Sequence, residues 1–196
     1  MWVVILGPDG SGKSTLILAL RDTLARQGRE VRVFHLRPDN NTEVGLNSEK
    51  ANVDPHSEPV YGMIFSLLKL CYFYAQYIIG YLRIIRPLIK KSSCIIFDRY
   101  FQDILVDPRR YRYGGPMWLA RLFGVMVPTP NLWILLDAPP EVLQARKQEV
   151  PFAESARQRQ CYIALIKKLK HAVVVDASQE FEQVFSATYA AISLHD

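Results

Sequence analysis

The chain has 196 residues, which is enough for one domain with a buried core, and we expect a single domain over residues 1–196. Its hydrophobic fraction of 49% excludes a disordered or collagen-like chain. The net charge of +5 suits anionic small molecules, and because no nucleic-acid-binding module is recognisable we expect no nucleic acid partner.

The cysteines and the N-terminus indicate a cytoplasmic protein. Cys71, Cys94 and Cys161 share no metal-ligand spacing and have apolar neighbours. We therefore predict reduced thiols in the core. The apolar run at residues 2–6 is too short for a signal peptide.

Predicted strands alternate with predicted helices along the chain. Short, largely apolar runs predict strands at 2–6, 31–35, 94–98, 132–137 and 172–176. Helical patterns cover 13–27, 118–123, 140–147, 155–170 and the C-terminus, and loops are predicted at 37–60 and 107–116. Alternation of helices with largely apolar strands predicts an α/β fold of three layers, α/β/α, around a parallel sheet.

Residues 63–91 form the most apolar segment. Lys69, Gln76, Arg83 and Lys90 recur in it every seven residues, which predicts a mostly buried helix with one polar stripe, broken near Pro87. Uninterrupted apolar runs stay well below the ~20 residues that a span needs, so we expect no membrane span. The remaining apolar surface is a candidate homodimer interface, with peripheral membrane contact as the alternative.

The stretch GPDGSGKST, from Gly7 to Thr15, follows the first predicted strand and precedes the first helix. It fits the pattern GxxxxGK[ST], whose backbone N–H groups surround phosphate oxygens. In this pattern Lys13 reaches the β- and γ-phosphates and Ser14 ligates Mg²⁺. The sequence thus predicts a P-loop NTPase that binds ATP through Gly7, Asp9, Gly10, Ser11, Gly12, Lys13, Ser14 and Thr15.

Further charged residues suit phosphoryl transfer, which needs positioning and cations more than a nucleophilic side chain. Asp98 ends the third strand, where it can order the water shell of Mg²⁺, and Arg99 can hold a phosphate. Arginines around residues 146–158 suggest a short helical lid over ATP, with Arg146 and Arg157 as its ATP-binding members. The predicted catalytic residues are Lys13, Asp98, Arg99 and Arg146.

These motifs resemble the thymidylate kinase family of P-loop nucleoside monophosphate kinases. The resemblance rests on the P-loop with its Asp9, on DRY at 98–100, on LLDAPPEVLQAR at 135–146 and on VVVDASQEFEQV at 173–184. It implies a five-stranded parallel sheet, ATP with Mg²⁺ and a homodimer. It also implies that Asp9 lies near the acceptor sugar. Gly10 stands where some members carry a P-loop arginine, so the resemblance assigns the catalytic arginine to the lid, with Arg146 best supported by its motif.

The predicted acceptor-side segment, residues 37–90, departs from the family. RPDNNTEVG, Arg37 to Gly45, carries Asn40 where one family form has an arginine, and Arg37 is the candidate replacement. Phe73 aligns with the residue that stacks on the base, but Tyr77 aligns with the arginine that reads the thymine edge. A phenol has one hydroxyl where a guanidinium has five fixed donors.

The segment after DRY departs as well, because the family's SxxAYQG is missing and Asp103 takes the serine position. We assign acceptor binding to Asp9, Arg37, Phe73, Tyr77, Arg99, Tyr100, Arg109 and Arg110. Three functions remain open. The first is transfer of the ATP γ-phosphate to a nucleoside monophosphate, with dTMP the best single choice. The second is the same chemistry on a nucleoside or sugar-type acceptor, and the third is a slow nucleotide-binding switch.

Overall fold

The fold is built on one parallel sheet, seen in a computed structural model that describes residues 1–38 and 56–195. The strands are β1 (Trp2–Leu6), β2 (Val31–His35), β3 (Cys94–Asp98), β4 (Leu132–Asp137) and β5 (Ala172–Asp176). They pair in the order β2-β3-β1-β4-β5, all parallel. The predicted five-stranded parallel sheet is confirmed, and each predicted strand has the predicted bounds.

Helices cover both faces of the sheet. They are α1 (Lys13–Arg26), α2 (Met63–Gly80), α3 (Arg86–Lys90), α4 (Asp103–Val106), α5 (Met117–Met126), α6 (Pro140–Arg146), α7 (Phe152–Ile166) and α8 (Phe181–Leu194). Val3 and Ile5 of β1 pack with buried residues of α1, α6 and α8. Trp2 and Val4 pack on the other face with residues of α2, α4, α5 and α7. This alternation produces the predicted three-layer α/β/α fold.

The predicted break in the long helix lies one turn earlier than expected. A π-helical turn, Tyr81–Ile85, joins α2 to α3. Pro87 lies in the first turn of α3, and it has no N–H to donate to the preceding turn. A proline in a helix needs a local change of hydrogen bonding, and the wider turn before Pro87 provides it.

The outer face of α2 is apolar, so the prediction of a mostly buried helix with a polar outer stripe is wrong. Exposed apolar side chains recur along it at intervals of four, four, seven and three residues, and we call them the α2 stripe: Ile64, Leu68, Tyr72, Ile79 and Leu82. Cys71 is also exposed, whereas Cys94 is buried as predicted. By length and composition alone, the stretch Met63–Lys90 passes the test for a membrane-crossing helix, which is weak evidence for a span.

Strand register places two predicted functional segments side by side. Ile5 of β1 pairs with Asp98 of β3, so both strands end at the same edge of the sheet. The loop after β1 contains Asp9, and Arg99 follows β3. Ligands bind at this edge in open α/β sheets.

Candidate active site

The loop between β1 and α1 has its lysine folded back on itself. Lys13 is buried, and its Nζ donates to the main-chain oxygens of Gly7 at 2.8 Å and Pro8 at 2.7 Å. Burial and the positive charge of Arg99 lower the pKa of Lys13 to about 8. Ser14, in the first turn of α1, is exposed. The ammonium therefore lies against the loop at the position from which it can reach a bound phosphate.

Gly10 lies where α6 approaches the loop most closely. Its φ is +82°, and a Cβ built on it would lie 2.5 Å from the main-chain oxygen of Leu143. Side chains rarely adopt this φ, and a contact of that length with backbone cannot relax through a rotamer change. The backbone therefore excludes an arginine at this position.

Asp98 has one carboxylate oxygen engaged and one available. Its Oδ2 lies 3.3 Å from Nδ1 of His35, the residue paired with it on β2. Within 1–38 and 56–195, the buried Oδ1 has no hydrogen-bond partner. Burial would raise the pKa of Asp98, but the hydrogen bond with His35 and the charge of Lys13 hold it below its usual value. An ionised carboxylate with an unpaired buried oxygen fits the predicted role of Asp98, ordering a water of Mg²⁺.

Arg99 is fixed in place by two carboxylates. Its backbone is in the left-handed region, with φ of +68°. One guanidinium nitrogen donates to Asp103 Oδ2 at 2.6 Å and to the Tyr162 hydroxyl at 3.2 Å, and the other donates to Asp9. Tyr162 in turn donates to Asp103 Oδ1 at 3.0 Å. Sequence reasoning assigned no role to Asp103 or Tyr162, because only the fold brings α4 and α7 to Arg99.

Arg110 meets the same loop from the 107–113 segment. Its Nη2 donates to the second oxygen of Asp9 and to Glu149 Oε2 at 3.2 Å, and its Nε lies 3.4 Å from Asp107 Oδ2. Burial would raise the pKa of the Asp9 carboxyl, but the neighbouring cations, Arg99 the strongest, hold it well below its usual range. The anionic Asp9 thus bridges two arginines. Arg109 is exposed.

Asp107 joins three parts of the chain behind Arg110. It accepts hydrogen bonds from Nε2 of Gln158 on α7, at 3.0 Å, and lies 2.9 Å from Nε2 of His56. Potential ligand atoms of His56, Asp107 and Glu154 lie within 4.8 Å of one another, a spacing that suits a metal ion. However, Arg157 pairs with Glu154 at 2.6 Å and Gln158 donates to Asp107, so we assign this cluster to an ion-pair network.

An aromatic platform lies on the acceptor side. The guanidinium carbon of Arg37 lies 5.2 Å from the ring centre of Phe73, and Lys69 Nζ lies 5.5 Å from it. Arg37 also donates to Gln76 Oε1 at 2.8 Å. The structure thus brings the predicted pair Arg37 and Phe73 together and adds Lys69 and Gln76. Their spacing of four and three residues around Phe73 was the sequence signal for this face.

Comparison with known proteins agrees with this site. The profile of the family described as "Thymidylate kinase" matches residues 5–188. The chain belongs to the thymidylate kinase family. It is 30% identical to a protein named "Probable thymidylate kinase" from Pyrobaculum aerophilum, over 95% of this chain and 88% of that protein. It is 26% identical to "Thymidylate kinase" from Vibrio vulnificus, over 98% of this chain and 94% of that protein. The predicted family and enzyme class, a nucleotide kinase, are therefore confirmed.

The two predicted lid arginines donate to main-chain oxygens outside the P-loop. Arg146 donates to the main-chain oxygen of Ala177 at 2.7 Å, beyond β5. Arg157 donates to the main-chain oxygen of Val106 at 2.9 Å in addition to its ion pair on α7. Arg159 forms a bidentate pair, at 2.7 and 2.9 Å, with the aspartate that ends β4. The predicted roles of Arg146 and Arg157 in ATP binding stay predictions.

Two predicted acceptor residues lie in the core instead. Tyr77 is buried, and its hydroxyl donates to the main-chain oxygen of Leu36. Tyr100 is also buried, donates to the main-chain oxygen of Pro128 at 2.8 Å, and packs edge-on against Tyr77 with ring centres 4.6 Å apart. Here Tyr77 does not take the place of the family's base-reading arginine. Asn40, on the predicted acceptor loop, lies outside the described residues.

Proposed function

We propose that this chain transfers the γ-phosphate of ATP to a nucleoside monophosphate, with dTMP as the acceptor. One observation carries the proposal: Asp9, inside the phosphate-binding loop, is bonded on both oxygens by arginines that follow β3. The predicted donor and acceptor groups therefore meet at one carboxylate. The names of the relatives support dTMP, and nothing in the comparisons supports the nucleoside, sugar-type or switch alternatives.

The donor half follows from the loop geometry. Backbone N–H groups and the start of α1 attract the triphosphate, and Lys13 exchanges the oxygens of Gly7 and Pro8 for phosphate oxygens. Ser14 and Asp98 are the residues that would hold Mg²⁺, Asp98 through water. The ion, when bound, neutralises negative charge on the phosphates.

The acceptor half lies between Asp9 and the platform. In our proposal Asp9 contacts the sugar, Arg99 binds the acceptor phosphate, and the base stacks on Phe73 after displacing a cation from its ring. Arg37 and Gln76 then lie along the edge of the base. A side-chain amide presents an NH2 donor group beside a carbonyl acceptor, and these complement the O4 and N3–H of thymine.

The reaction itself requires no covalent enzyme intermediate. An oxygen of the acceptor phosphate forms a bond to the γ-phosphorus while the bond to the β,γ-bridging oxygen breaks, and ADP leaves with the electron pair. The protein contributes alignment and positive charge. Buried Arg99 and Lys13 provide such charge without rearrangement of solvent.

The test is acceptor-stimulated release of ADP from Mg-ATP, with Lys13→Ala as the blank. The panel contains dTMP, dUMP, the other nucleoside monophosphates, nucleosides and sugars. Stimulation by dTMP above all others is the expected result. Stimulation by a nucleoside or sugar with dTMP inert would refute the proposed acceptor. ATP binding without stimulation by any compound would favour the switch.

We also propose that two copies pair through the α2 stripe. Its apolar residues recur at helix-packing spacing, as two helices in contact require. Sedimentation should show a dimer that Leu68→Glu converts to a monomer, and alkylation of exposed Cys71 should be slower in the dimer. A monomeric wild type, or alkylation equally fast in both variants, would contradict this interface.

Three other predictions complete the proposal. We assign residues 1–196 to a single domain with a lid at about 146–158, we place the protein in the cytoplasm, and we expect no membrane span. Fractionation of cells that express the chain should recover it in the supernatant after high-speed centrifugation. Recovery in a membrane pellet that salt does not release would contradict the location.

A further inference from the structure

We propose that Arg110 places its guanidinium on the transferring phosphoryl group and supplies the catalytic charge that the resemblance assigned to a lid arginine. This inference rests on the proposed phosphoryl transfer. It concerns which residue stabilises the transition state, and it holds for any phosphate acceptor that the panel identifies.

The first support is that the P-loop cannot contribute this charge. The main-chain oxygen of Leu143 occupies the space that a side chain at Gly10 would need. Lys13 is the cation that the loop itself provides, and it serves the β- and γ-phosphates already in the proposed donor site. An arginine that contacts the transferring group in addition to Lys13 and Arg99 therefore has to come from a segment outside the loop.

The second support is that the lid arginines have other partners. Arg157 makes two hydrogen bonds to Glu154, at 2.6 and 2.8 Å, and a third to a main-chain oxygen on α4. Arg146 is bonded beyond β5. These partners of Arg157 lie on α7 and α4, whereas one carboxylate partner of Arg110 belongs to the phosphate-binding loop.

The third support is the position of Arg110. Its Nη2 already binds a carboxylate oxygen of Asp9, an anion that belongs to the phosphate-binding loop. Its side chain is 20% exposed, so part of it remains accessible from solvent. Its Nε remains near Asp107, which orients the guanidinium plane toward the loop. A γ-phosphate on the loop offers the same nitrogen a stronger acceptor than Asp9.

The chemistry requires only charge from Arg110. It makes no covalent bond and moves no proton, while the γ-phosphoryl group passes from the β,γ-bridging oxygen to the acceptor oxygen. The planar guanidinium can contact two equatorial oxygens at once, and those oxygens carry the charge in the transition state. Because this contact strengthens as the transition state forms, it should affect kcat more than binding of ATP.

The experiment compares steady-state kinetics of Arg110→Ala, Arg110→Lys and Arg157→Ala. The matched control is Arg121→Ala, since Arg121 is an exposed residue of α5. We expect Arg110→Ala to lower kcat at least ~100-fold, while the KM for ATP changes less than about threefold. Arg110→Lys should recover part of the loss. Added guanidinium ion, at concentrations that leave the protein folded, should raise the kcat of Arg110→Ala and of no other variant in the series.

A purely structural role is tested in the same series. If Arg110 served only to hold the turn at 147–151 through Glu149, then Glu149→Gln would lower kcat as much as Arg110→Ala, and guanidinium would not rescue either. That result overturns the inference. So does a kcat within about threefold of wild type for Arg110→Ala alongside a large loss for Arg157→Ala.

Failure of the proposed acceptor is distinguishable from failure of this inference. Should no compound in the panel stimulate turnover, the slow transfer of the γ-phosphate to water is measured in the same variants. A comparable loss in Arg110→Ala, rescued by guanidinium, still supports Arg110. Unchanged hydrolysis overturns the inference.

Discussion

Replacing Asp103 with asparagine should destabilise the protein strongly, although the two side chains have nearly the same shape. The carboxylate is 1% exposed, and it pairs with the guanidinium of Arg99, itself 8% exposed. It also accepts a hydrogen bond from the hydroxyl of Tyr162. The substitution removes the negative charge and leaves the buried cation in place.

The size of the effect follows from this geometry. Breaking a buried ion pair by removing one partner costs about 3–5 kcal/mol. Arg99 retains its pair with Asp9, so we expect the lower end of that range, about 3 kcal/mol. With a urea m-value of about 2–3 kcal/mol/M for a chain of this size, the unfolding midpoint should fall by roughly 1–1.5 M.

The assay is equilibrium unfolding in urea at pH 7, followed by fluorescence and circular dichroism together to test for two-state behaviour. The matched control is Asp22→Asn, since Asp22 pairs with Arg21 on the surface and is half exposed. It should change the free energy of unfolding by less than about 1 kcal/mol. A loss below 1 kcal/mol for Asp103→Asn would refute the assignment of a buried ionic network around Arg99.

Three further substitutions or conditions test other parts of the site. Tyr77→Phe leaves the main-chain oxygen of Leu36 without its hydrogen-bond donor. In the same urea assay it should lower the free energy of unfolding by about 1–2 kcal/mol. An unchanged free energy of unfolding would mean that water replaces the hydroxyl. Gly10→Ala combines left-handed backbone strain of about 1–2 kcal/mol with the contact to Leu143. Calorimetry should show weaker ATP binding as well as lower stability. Unchanged ATP binding would contradict the close approach of α6. The pKa of Lys13 is about 8 before phosphate binds, and a bound phosphate raises that pKa. ATP affinity should therefore be level below pH 8 and should fall by up to about tenfold per pH unit above pH 8. Lys13→Arg should abolish that fall, and a wild-type affinity that stays constant to pH 10 would refute the assignment.

Much of the fold could be predicted from the sequence because the signals are local. Each strand is a short, largely apolar run, and the structure has the predicted bounds for all five. The pattern from Gly7 to Ser14 needs only the strand before it and the helix after it. Asp98 was predictable for the same reason, since it ends a strand beside β1.

The acceptor side was harder because its contacts join distant segments. The direction of Tyr77 depends on the rotation of α2, and one residue along a helix turns a side chain by about 100°. Several arginines follow the DRY segment or surround α7, and local pattern does not say which one reaches Asp9. The network of Asp103 with Tyr162 needs α4 and α7 together, and no spacing in the sequence relates the two.

The close approach of α6 to the P-loop has an evolutionary consequence. Where this position carries glycine, a helix can pack directly against the loop, as the main chain of Leu143 does against Gly10. Once that packing exists, a single substitution can no longer restore an arginine there, since α6 would have to withdraw in the same step. A glycine packed against α6 and an arginine in the loop are then alternatives that no single substitution interconverts. Relatives with a glycine at this position should carry the catalytic arginine on another segment.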